Sequence, residues 1–363
     1  MTSPDGLRFR ALARREFQNI LLIKPSSLGD IIHALPVLHG LRIRYPDAVI
    51  SWLVAAPFAP LIADHPQLNH IINFDRARFG RMTRSAAAAS AFIAFIRDLR
   101  DRQFDLVIDL QGLFRSGFLA WITGAEVRIG FAAARECAPL FYTHRVAGTD
   151  QRVAHAADRN WTIARALDIG DMPMHFDLAV TDAERHRAAD ILTSVNIDPT
   201  APFVALLPGA RWETKRWSPD RLTAVIDQLW RDHSVPSVLV GAPDERDLCD
   251  SVASSTHIAT PNLAGRTNLR DLVAILDRAA AVLTHDSGPM HIAAALNRPL
   301  VAILGPTNRH RTGPYGRAAS VVQADLPCVP CYLKKLSQCP YDHKCMTSVD
   351  AADVARRIGA LLK

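Results

Sequence analysis

No uninterrupted apolar run in this 363-residue sequence approaches the roughly 20 residues that a membrane-spanning helix requires. The first segment, 1–18, is polar, carries Arg8, Arg10, Arg14 and Arg15, and lacks the apolar stretch of a secretory signal. A chain without either feature is predicted to be cytoplasmic. Its composition, 49% hydrophobic and 21% charged, is ordinary and argues against intrinsic disorder.

Familiar nucleotide-binding and nucleic-acid-binding motifs are missing as well. The sequence has no GxGxxG fingerprint, no Walker A loop, no zinc finger and no RNA-recognition signature. Lys and Arg (42) exceed Asp and Glu (36), which gives a net charge of +6 and favours anionic partners such as phosphates or an acidic membrane surface. Nucleic acid is not predicted as a partner, because no basic helix with interleaved aromatic residues accompanies this excess.

The sequence does contain an alternation of short apolar runs with amphipathic stretches. Continuous apolar strands separated by helices are typical of parallel sheets covered on both faces. The predicted strands are 19–24, 48–54, 70–74, 104–110, 203–207, 237–240, 281–284 and 300–304. The predicted helices are 30–45, 85–102, 151–168, 219–232, 244–254, 269–279, 288–296 and 349–362. A polar stretch, 169–202, separates two such series.

The fold class is therefore α/β, with two doubly wound parallel-sheet domains, each large enough to bury its own core. We predict a basic arm 1–18, an N-terminal domain 19–175, a C-terminal domain 176–347 that includes a cysteine-rich loop 326–347, and a final helix 348–363. Loops at the carboxyl ends of parallel strands are the usual ligand sites of such sheets.

The loop after the first predicted strand carries two serines, a glycine and an aspartate at the start of a helix. Ser26 and Ser27 supply hydroxyls, and Gly29 permits a tight turn close to a ligand. Amide donors and the helix dipole favour the ionised form of Asp30. Asp30 is interpreted either as a simple helix cap or as a carboxylate that accepts a proton at the edge of a cleft.

The loop that opens the second series is rich in cations. Arg211, Lys215 and Arg216 lie between a predicted strand and a predicted helix start, an arrangement that suits a diphosphate. A solvated basic loop is the alternative interpretation. Trp212 and Trp217 in the same loop favour a functional role, because exposed tryptophans are uncommon.

A third loop repeats the order of strand, turn and helix. Asp286, Ser287 and Gly288 place a hydroxyl and backbone amides at a helix start, and His291 lies one turn further on the same side as Ser287. His285 and His291 flank this turn. A histidine in such a position is more often structural, but here the pair borders a turn that is suited to an anion.

Four of the six cysteines are Cys328, Cys331, Cys339 and Cys345, all within one loop. A Cys-x2-Cys pair followed by two more thiols can hold zinc tetrahedrally. Reduced thiols that pack the loop are the second interpretation, and redox chemistry or disulfides the third.

The order of these motifs resembles glycosyltransferase family 9, the ADP-heptose:lipopolysaccharide heptosyltransferases. The matching strings are Ser-Ser-Leu-Gly-Asp at 26–30, Leu-Pro-Gly-Ala at 207–210, Lys-Arg-Trp at 215–217, Asp-Ser-Gly-Pro-Met-His at 286–291 and Leu-Gly-Pro-Thr at 304–307. The resemblance implies the GT-B architecture, in which two Rossmann-like domains face each other across a cleft. The N-terminal domain would bind the acceptor and the C-terminal domain the nucleotide sugar, and the last helix would pack back toward the first domain.

The resemblance also implies roles for individual residues. Asp30 corresponds to the catalytic base, and Lys215 to the lysine that binds the diphosphate. Glu245 resembles the carboxylate that bonds the donor ribose, although Asp244 and Asp247 lie close by. The loops and the resemblance together predict one donor-binding set, which is Ser26, Ser27, Gly29, Arg211, Glu245, Asp286, Ser287, Gly288 and His291.

The implied reaction is the transfer of a heptose, or a related sugar, from an ADP-activated donor to an anionic lipopolysaccharide-core glycolipid, with inversion. Because the sequence has no Asp-x-Asp triplet, transfer is expected to need no metal or other cofactor. The cysteine loop also resembles a loop in part of the family, and zinc bound there would have a structural role only. Contact with the cytoplasmic face of the inner membrane is compatible with this reaction. Arg8 to Arg15 form a candidate contact surface, and a disordered or capping tail is the favoured alternative for this arm.

Two other functions remain compatible with the motifs. The first is another GT-B enzyme, either a transferase that uses UDP or GDP donors or a sugar-nucleotide epimerase. The second is a non-catalytic protein that binds an anionic glycolipid at the membrane.

Overall fold

The computed structural model describes residue 9 and residues 11–12, 14–148 and 153–362. The contacts divide the chain into two compact units, 1–177 and 178–363. The boundary falls two residues beyond the one that the sequence predicts.

The first unit is built on a six-stranded sheet in which every pairing is parallel. Its strands are β1 Asn19–Ile23, β2 Val49–Ala55, β3 His70–Phe74, β4 Leu106–Asp109, β5 Val127–Phe131 and β6 His144–Val146. Its helices are α1 Leu28–Ile32, α2 Leu35–Arg44, α3 Arg76–Phe79, α4 Ala86–Asp101, α5 Phe114–Ile122 and α6 Ala156–Ala166. The strand order β3-β2-β1-β4-β5-β6 reverses between β1 and β4, and such a reversal opens a crevice at the carboxyl ends of the two strands.

The second unit is built on a five-stranded parallel sheet. Its strands are β7 Val204–Leu207, β8 Ser237–Leu239, β9 Ala281–His285, β10 Leu300–Ile303 and β11 Val321–Val322. Its helices are α7 Asp182–Thr193, α8 Pro219–His233, α9 Arg246–Ser255, α10 Leu269–Arg278, α11 Gly288–Ala295, α12 Arg309–Thr312, α13 Lys344–Thr347 and α14 Ala351–Leu361. The order β11-β10-β9-β7-β8 reverses between β7 and β9, so this sheet has a crevice of the same kind.

The predicted fold of two doubly wound parallel sheets is confirmed within each unit. All eight predicted strands are present, and most of their apolar residues are buried, as expected for parallel sheets that helices cover on both faces. The predicted helix 30–45 is two helices, which are separated near Ala34, with Pro36 in the first turn of the second.

Eight elements were not predicted: the strands β5, β6 and β11, and the helices α3, α5, α7, α12 and α13. Arg128 and Gly130 interrupt the apolar pattern of β5, and β6 and β11 have only three and two residues. α7 is largely polar, with Ile191 and Leu192 as its only large apolar residues, so it shows little apolar periodicity. Its start did carry a signal, since Thr181 and Glu184 form a capping box.

The final helix belongs to the core of the second unit. The sequence analysis expects it to pack back toward the first domain. In the structure, Val354, Ala355 and Ile358 are buried in the same core cluster as Leu222 and Ile226 of α8. The residues that form its apolar stripe are therefore buried by α8 and the second sheet.

Part of the basic arm packs on the first unit. Phe17 is buried and its ring lies edge-on to Tyr45, with 5.6 Å between the ring centroids. Arg15 forms two hydrogen bonds with the carboxylate of Glu126, at 2.7 and 2.9 Å. Arg8 and Arg10, also predicted to contact a membrane, lie outside the described residues. Among the residues that are described, no helix combines the length and apolar character that crossing a membrane requires.

Candidate active site

Asp30 lies at the carboxyl end of β1, beside the reversal of the first sheet. One of its carboxylate oxygens accepts hydrogen bonds from the amide and the hydroxyl of Ser27, each at 2.9 Å. The other lies 3.5 Å from the ammonium of Lys24. Asp30 does cap α1, as one interpretation of the sequence held, but 32% of its side chain stays exposed to solvent.

Lys24 is a site residue that the sequence analysis missed. It is the first residue after β1, its side chain is only 2% exposed, and its ammonium donates to the carbonyl of Leu110 at 2.9 Å. That carbonyl follows β4, so the pairing of β1 with β4 brings it to Lys24. A lysine directly after a buried apolar strand was the only signal in the sequence.

The two charges shift each other's titration. Burial raises the pKa of Asp30, but the Lys24 ammonium and the two hydrogen bonds from Ser27 outweigh burial and hold it below its usual range. Burial lowers the pKa of Lys24, and the Asp30 carboxylate only partly opposes this. Asp30 is therefore ionised at neutral pH, as a group that accepts a proton must be.

A cavity of about 760 Å³ opens at the carboxyl ends of the same strands in the first unit. Apolar residues form much of its wall, including Phe58, Phe74 and Leu119, while Arg76 and Arg115 contribute positive charge. Pro25 and Ser26 of the Asp30 loop also line it. A cavity with apolar walls and a few charged groups is suited to a small anionic ligand.

The wall of this cavity after β4 is fixed by a buried carboxylate. Asp109 accepts a hydrogen bond from the hydroxyl of Tyr142 at 2.6 Å and from the amides of Gln111 and Gly112 at 2.8 and 3.1 Å. Burial raises the pKa of Asp109, and these hydrogen bonds lower it in part. Because the loop from Asp109 leads directly into α5, the network sets the position at which Arg115 enters the cavity wall.

In the second unit, the structure brings together two of the predicted loops at the reversal between β7 and β9. The ammonium of Lys215 lies 2.8 Å from the carboxylate of Asp286, and the two side chains are 13% and 6% exposed. Asp286 also accepts hydrogen bonds from the hydroxyls of Thr307 and Thr312, at 2.5 and 3.2 Å. The ammonium also lies 4.3 Å from the ring centroid of Trp212, a cation–π contact.

Glu245 lies at the same edge of the second sheet. A Cβ atom at Gly209 would come within 1.8 Å of a carboxylate oxygen of Glu245, so only glycine allows this close approach. Glu245 accepts a hydrogen bond from the amide of Ala242 at 2.8 Å, and burial raises its pKa. The structure thus places Glu245 beside the loop that carries Lys215.

The other predicted donor residues of the second unit differ in their surroundings. Ser287 occupies the N-cap position of α11, and its hydroxyl lies 3.4 Å from that of Thr284 instead of capping the helix, while Gly288 begins the helix. His291 is buried and Arg211 is exposed. Burial lowers the pKa of His285 to about 4, so this histidine is neutral at physiological pH.

The expectation that Trp217 serves as an exposed functional aromatic is wrong. Its side chain is 2% exposed, lies in the core of the second unit, and donates to the carbonyl of Met346 at 3.1 Å.

The cysteine-rich loop also contacts the loop that carries Lys215. The hydroxyl of Thr214 donates to the carbonyl of Leu333 at 2.6 Å, and His343 donates to the carbonyl of Thr214 at 2.7 Å. The cysteine-rich loop therefore braces the loop that carries Lys215.

The four clustered cysteines are free thiols. Within the part of the chain that the structure describes, no group of three or more His, Cys, Asp or Glu side chains could hold a metal ion. Burial, and then the neighbouring thiols, raise the pKa of Cys345 to about 11, so this thiol is neutral. The thiols of Cys328, Cys331 and Cys339 lie near enough to Cys345 to affect its titration, and both zinc binding and thiol packing stay predictions for this loop.

Comparison with known proteins adds to this geometry. Residues 92–342 match the family model described as glycosyltransferase family 9 (heptosyltransferase). The chain is 30% identical to lipopolysaccharide heptosyltransferase 1 of Pseudomonas aeruginosa over 359 residues, which cover 94% of this chain and 98% of that protein.

Solved structures agree on the fold. A glycosyltransferase family 9 protein from Veillonella parvula superposes with a TM-score of 0.81 at 24% identity, over 96% of this chain and 98% of the other. The E. coli heptosyltransferase WaaC, solved with ADP-2-deoxy-2-fluoro heptose, gives a TM-score of 0.74 at 25% identity, over 94% and 99% of the two chains. The predicted GT-B fold is thereby confirmed.

Proposed function

Because this chain belongs to glycosyltransferase family 9, we propose that it transfers a heptose from ADP-heptose to the inner core of lipopolysaccharide. The relative from Pseudomonas aeruginosa, which the chain matches over 98% of its length, is named as a lipopolysaccharide heptosyltransferase. WaaC, at 25% identity, was solved with an ADP-heptose analogue. The structural observation that carries the chemistry is Asp30, a carboxylate kept ionised by Lys24 and Ser27 at a crevice of the first sheet.

In the proposed mechanism, Asp30 removes the proton from one hydroxyl of the acceptor. The acceptor oxygen then forms a bond to the anomeric carbon of the heptose, and the bond from that carbon to the diphosphate breaks. ADP departs with the electron pair, and the proton remains on Asp30. A single displacement of this kind inverts the anomeric configuration. The ammonium of Lys215 would stabilise the negative charge that develops on the departing diphosphate.

The donor would bind at the crevice of the second sheet. A lysine ammonium has three donors, so Lys215 can keep its pair with Asp286 and still donate to a phosphate oxygen. The amides of Ser287 and Gly288 at the start of α11 would bind the diphosphate, and Glu245 would accept from the ribose hydroxyls. Arg211, Asp286 and His291 complete this part of the proposed donor site.

The acceptor would bind in the cavity of the first unit. Arg76 and Arg115 in its wall suit the anionic groups of a lipopolysaccharide core, while the apolar residues suit its sugar faces. Ser26, Ser27 and Gly29, which the sequence analysis assigns to the donor, belong to the loop that holds Asp30 beside this cavity. Because the acceptor is lipid-linked, contact with the cytoplasmic face of the inner membrane is part of the proposal.

Mass spectrometry of the product tests this function. After incubation with ADP-heptose and a truncated lipopolysaccharide core, we expect the acceptor mass to increase by one heptose. A parallel reaction with excess chelator should proceed at the same rate, because no cation is proposed in the step. In thermal unfolding, ADP should stabilise the protein while UDP and GDP do not. Stabilisation by UDP or GDP alone would favour another GT-B activity, and binding of glycolipid without transfer would favour a non-catalytic protein.

Replacing Lys24 with methionine tests its effect on Asp30. The change removes the charge that most strongly lowers the pKa of Asp30, so that pKa should rise. Since Asp30 acts in its ionised form, the acid limb of the kcat/KM profile should move to higher pH, with the largest loss of rate at low pH.

Ser27→Ala is the matched control for this variant. It removes the hydrogen bond from the Ser27 hydroxyl to Asp30 and keeps the hydrogen bond from the Ser27 backbone amide. The limb should move less in Ser27→Ala than in Lys24→Met. If the acid limb stayed in place in both variants, the titrating group would not be Asp30.

A further inference from the structure

Outside the proposed active site, exposed aromatic side chains cover one face of α5 and the adjoining 3₁₀ turn Ala138–Phe141. Phe114, Trp121 and Leu140 are 50%, 52% and 74% exposed. Phe118 and Phe141 lie between them and are half-buried. These five residues are called the aromatic patch below.

The patch is a continuous and ordered surface. Phe114, Phe118 and Trp121 follow the i, i+4, i+7 spacing of one helical stripe. The ring of Phe141 contacts all three, at centroid distances of 5.3, 6.1 and 6.4 Å. A Cβ atom at Gly117 would come within 2.9 Å of the Phe141 ring, so the glycine allows the turn to approach the helix.

Two cations and one carboxylate border the patch. The carboxylate is that of Glu136, which is exposed and accepts a hydrogen bond from the amide of Phe114 at 3.3 Å. Arg115 follows Phe114 on α5 and is exposed. Arg135, also exposed, precedes the 3₁₀ turn, and its amide donates to the carbonyl of Gly112 just before α5. Exposed aromatic and aliphatic side chains next to arginines are typical of surfaces that enter the headgroup region of anionic membranes.

The patch is also continuous with the cavity of the first unit, because the two share α5 and its first turn. Leu113, Ser116 and Leu119 line the cavity, whereas Phe114, Phe118 and Trp121 point to the other side of the helix. Arg115 belongs to the cavity wall and lies at the edge of the patch. A surface that holds α5 at a bilayer therefore also holds the cavity there.

We propose that the aromatic patch docks the protein on a bilayer that contains anionic phospholipid, with Trp121 and Leu140 inserted among the headgroups. The patch thereby brings the cavity of the first unit to the membrane surface. This inference deepens the proposed function and rests on it for the identity of the acceptor.

A second copy of this chain fits the patch less well than a bilayer does. In a two-fold pair the same patch meets itself, so each copy would bring two arginines, Arg115 and Arg135, but only the one carboxylate of Glu136 to the interface. Anionic headgroups neutralise these charges instead. The exposed tryptophan at the rim, with one polar N–H on an apolar ring, also suits a lipid–water boundary.

Vesicle flotation with the full chain tests the proposal. Vesicles of phosphatidylethanolamine with about 30% phosphatidylglycerol should carry the protein, and phosphatidylcholine vesicles should carry it more weakly. The double variant Trp121→Ser/Leu140→Ser should lower partitioning by at least about tenfold. Arg135→Glu should lower it on the anionic vesicles only. Trp230→Ser is the matched control, because Trp230 is 43% exposed on α8 of the second unit, and its partitioning should equal that of the unmodified protein.

Fluorescence supplies a second readout. Lipids with brominated acyl chains should quench part of the tryptophan emission, and that part should be absent in Trp121→Ser. Equal flotation of the double variant and the Trp230→Ser control would overturn the proposal. The proposal would also be overturned if the unmodified protein formed a concentration-dependent oligomer, the double variant Trp121→Ser/Leu140→Ser did not, and the double variant still floated with the vesicles.

The failure of this proposal differs from that of the proposed function. With a detergent-dispersed acceptor, the double variant should transfer at the unmodified rate, because neither Trp121 nor Leu140 lines the cavity. With the acceptor embedded in vesicles, its rate should fall in parallel with partitioning. If the unmodified protein transferred heptose to neither the detergent-dispersed nor the vesicle-embedded acceptor but still floated with vesicles, the proposed function would fail and the docking surface would stand. If the unmodified protein and the double variant transferred heptose to the vesicle-embedded acceptor at the same rate, the docking proposal would fail.

Discussion

Replacing Asp30 with asparagine is expected to lower the turnover of heptose transfer by about 10²- to 10⁴-fold, the range for loss of a general base. An amide has nearly the size of a carboxylate but does not accept the proton of the acceptor hydroxyl. Asp30 belongs to the first unit, whereas the residues that we propose to bind the nucleotide belong to the second. ADP affinity, measured by calorimetry, should therefore stay unchanged while kcat falls.

The same change leaves the buried ammonium of Lys24 without its counter-charge, so loss of stability must be separated from loss of the base. The double variant Lys24→Met/Asp30→Asn removes both charges and should recover much of the melting temperature. Its turnover should remain as low as that of the single Asp30 variant. Recovery of turnover together with stability would mean that Asp30 serves only to neutralise Lys24.

Asp350→Asn is a matched control for the capping role of Asp30. Asp350 accepts hydrogen bonds from two amides in the first turn of α14, and nothing in the proposed mechanism involves it. A capping aspartate outside the site should lower stability by about 1 kcal/mol or less without a change in kcat.

The sequence predicts most of the fold because the strands are continuous apolar runs. β1, with the sequence Asn-Ile-Leu-Leu-Ile, has a composition that is stable only with helices on both sides of the sheet. β5 was not predicted as a strand because Arg128 interrupts its apolar pattern. Arg128 is tolerated there since it donates to the carbonyl of Phe141 at 2.9 Å, a contact that depends on tertiary structure.

The candidate site is predictable where one loop contains all of its parts. Ser27 and Asp30 are three residues apart, so a local rule suffices for their hydrogen bonds. The role of Lys24 depends on a carbonyl that β4 brings to it, and no local pattern encodes that approach. Lys24 is a site residue that was missed, whereas Trp217 was wrongly predicted to be one. A tryptophan in a basic loop resembles a binding residue in the sequence, but the fold buries Trp217 in the core of the second unit.

The pairing of Lys215 with Asp286 is intermediate between these cases. Each residue lies in a loop that the sequence singles out, and the order of the strands explains why the loops meet. β7 and β9 are neighbours in the second sheet, so the loops after them share one crevice. The sequence predicts a cation and a carboxylate there, while the 2.8 Å contact between them follows only from the folded structure.

Replacing Lys215 with alanine is expected to weaken donor use more than any other single change in the second unit. Loss of one charged donor to the departing diphosphate should lower kcat/KM for ADP-heptose by about 10²- to 10³-fold and raise the Kd for ADP. Lys334→Ala is the matched control. Lys334 lies 5.3 Å from the ring centroid of Trp212, so it shares the aromatic partner of Lys215. Steady-state kinetics should show little change in Lys334→Ala.

A structural role for Lys215 makes a different prediction, since its ammonium also neutralises the buried carboxylate of Asp286. ADP affinity distinguishes the two roles because ADP carries no sugar, so any contact between Asp286 and the heptose is removed from the comparison. Lys215→Met should bind ADP weakly, whereas Asp286→Asn should bind it at least as well as the unmodified protein, because the ammonium is released from its carboxylate. If Lys215 binds the diphosphate, the double variant Lys215→Met/Asp286→Asn should remain as weak as Lys215→Met. If the double variant regained the original affinity, the lysine would be needed only to balance the charge of Asp286.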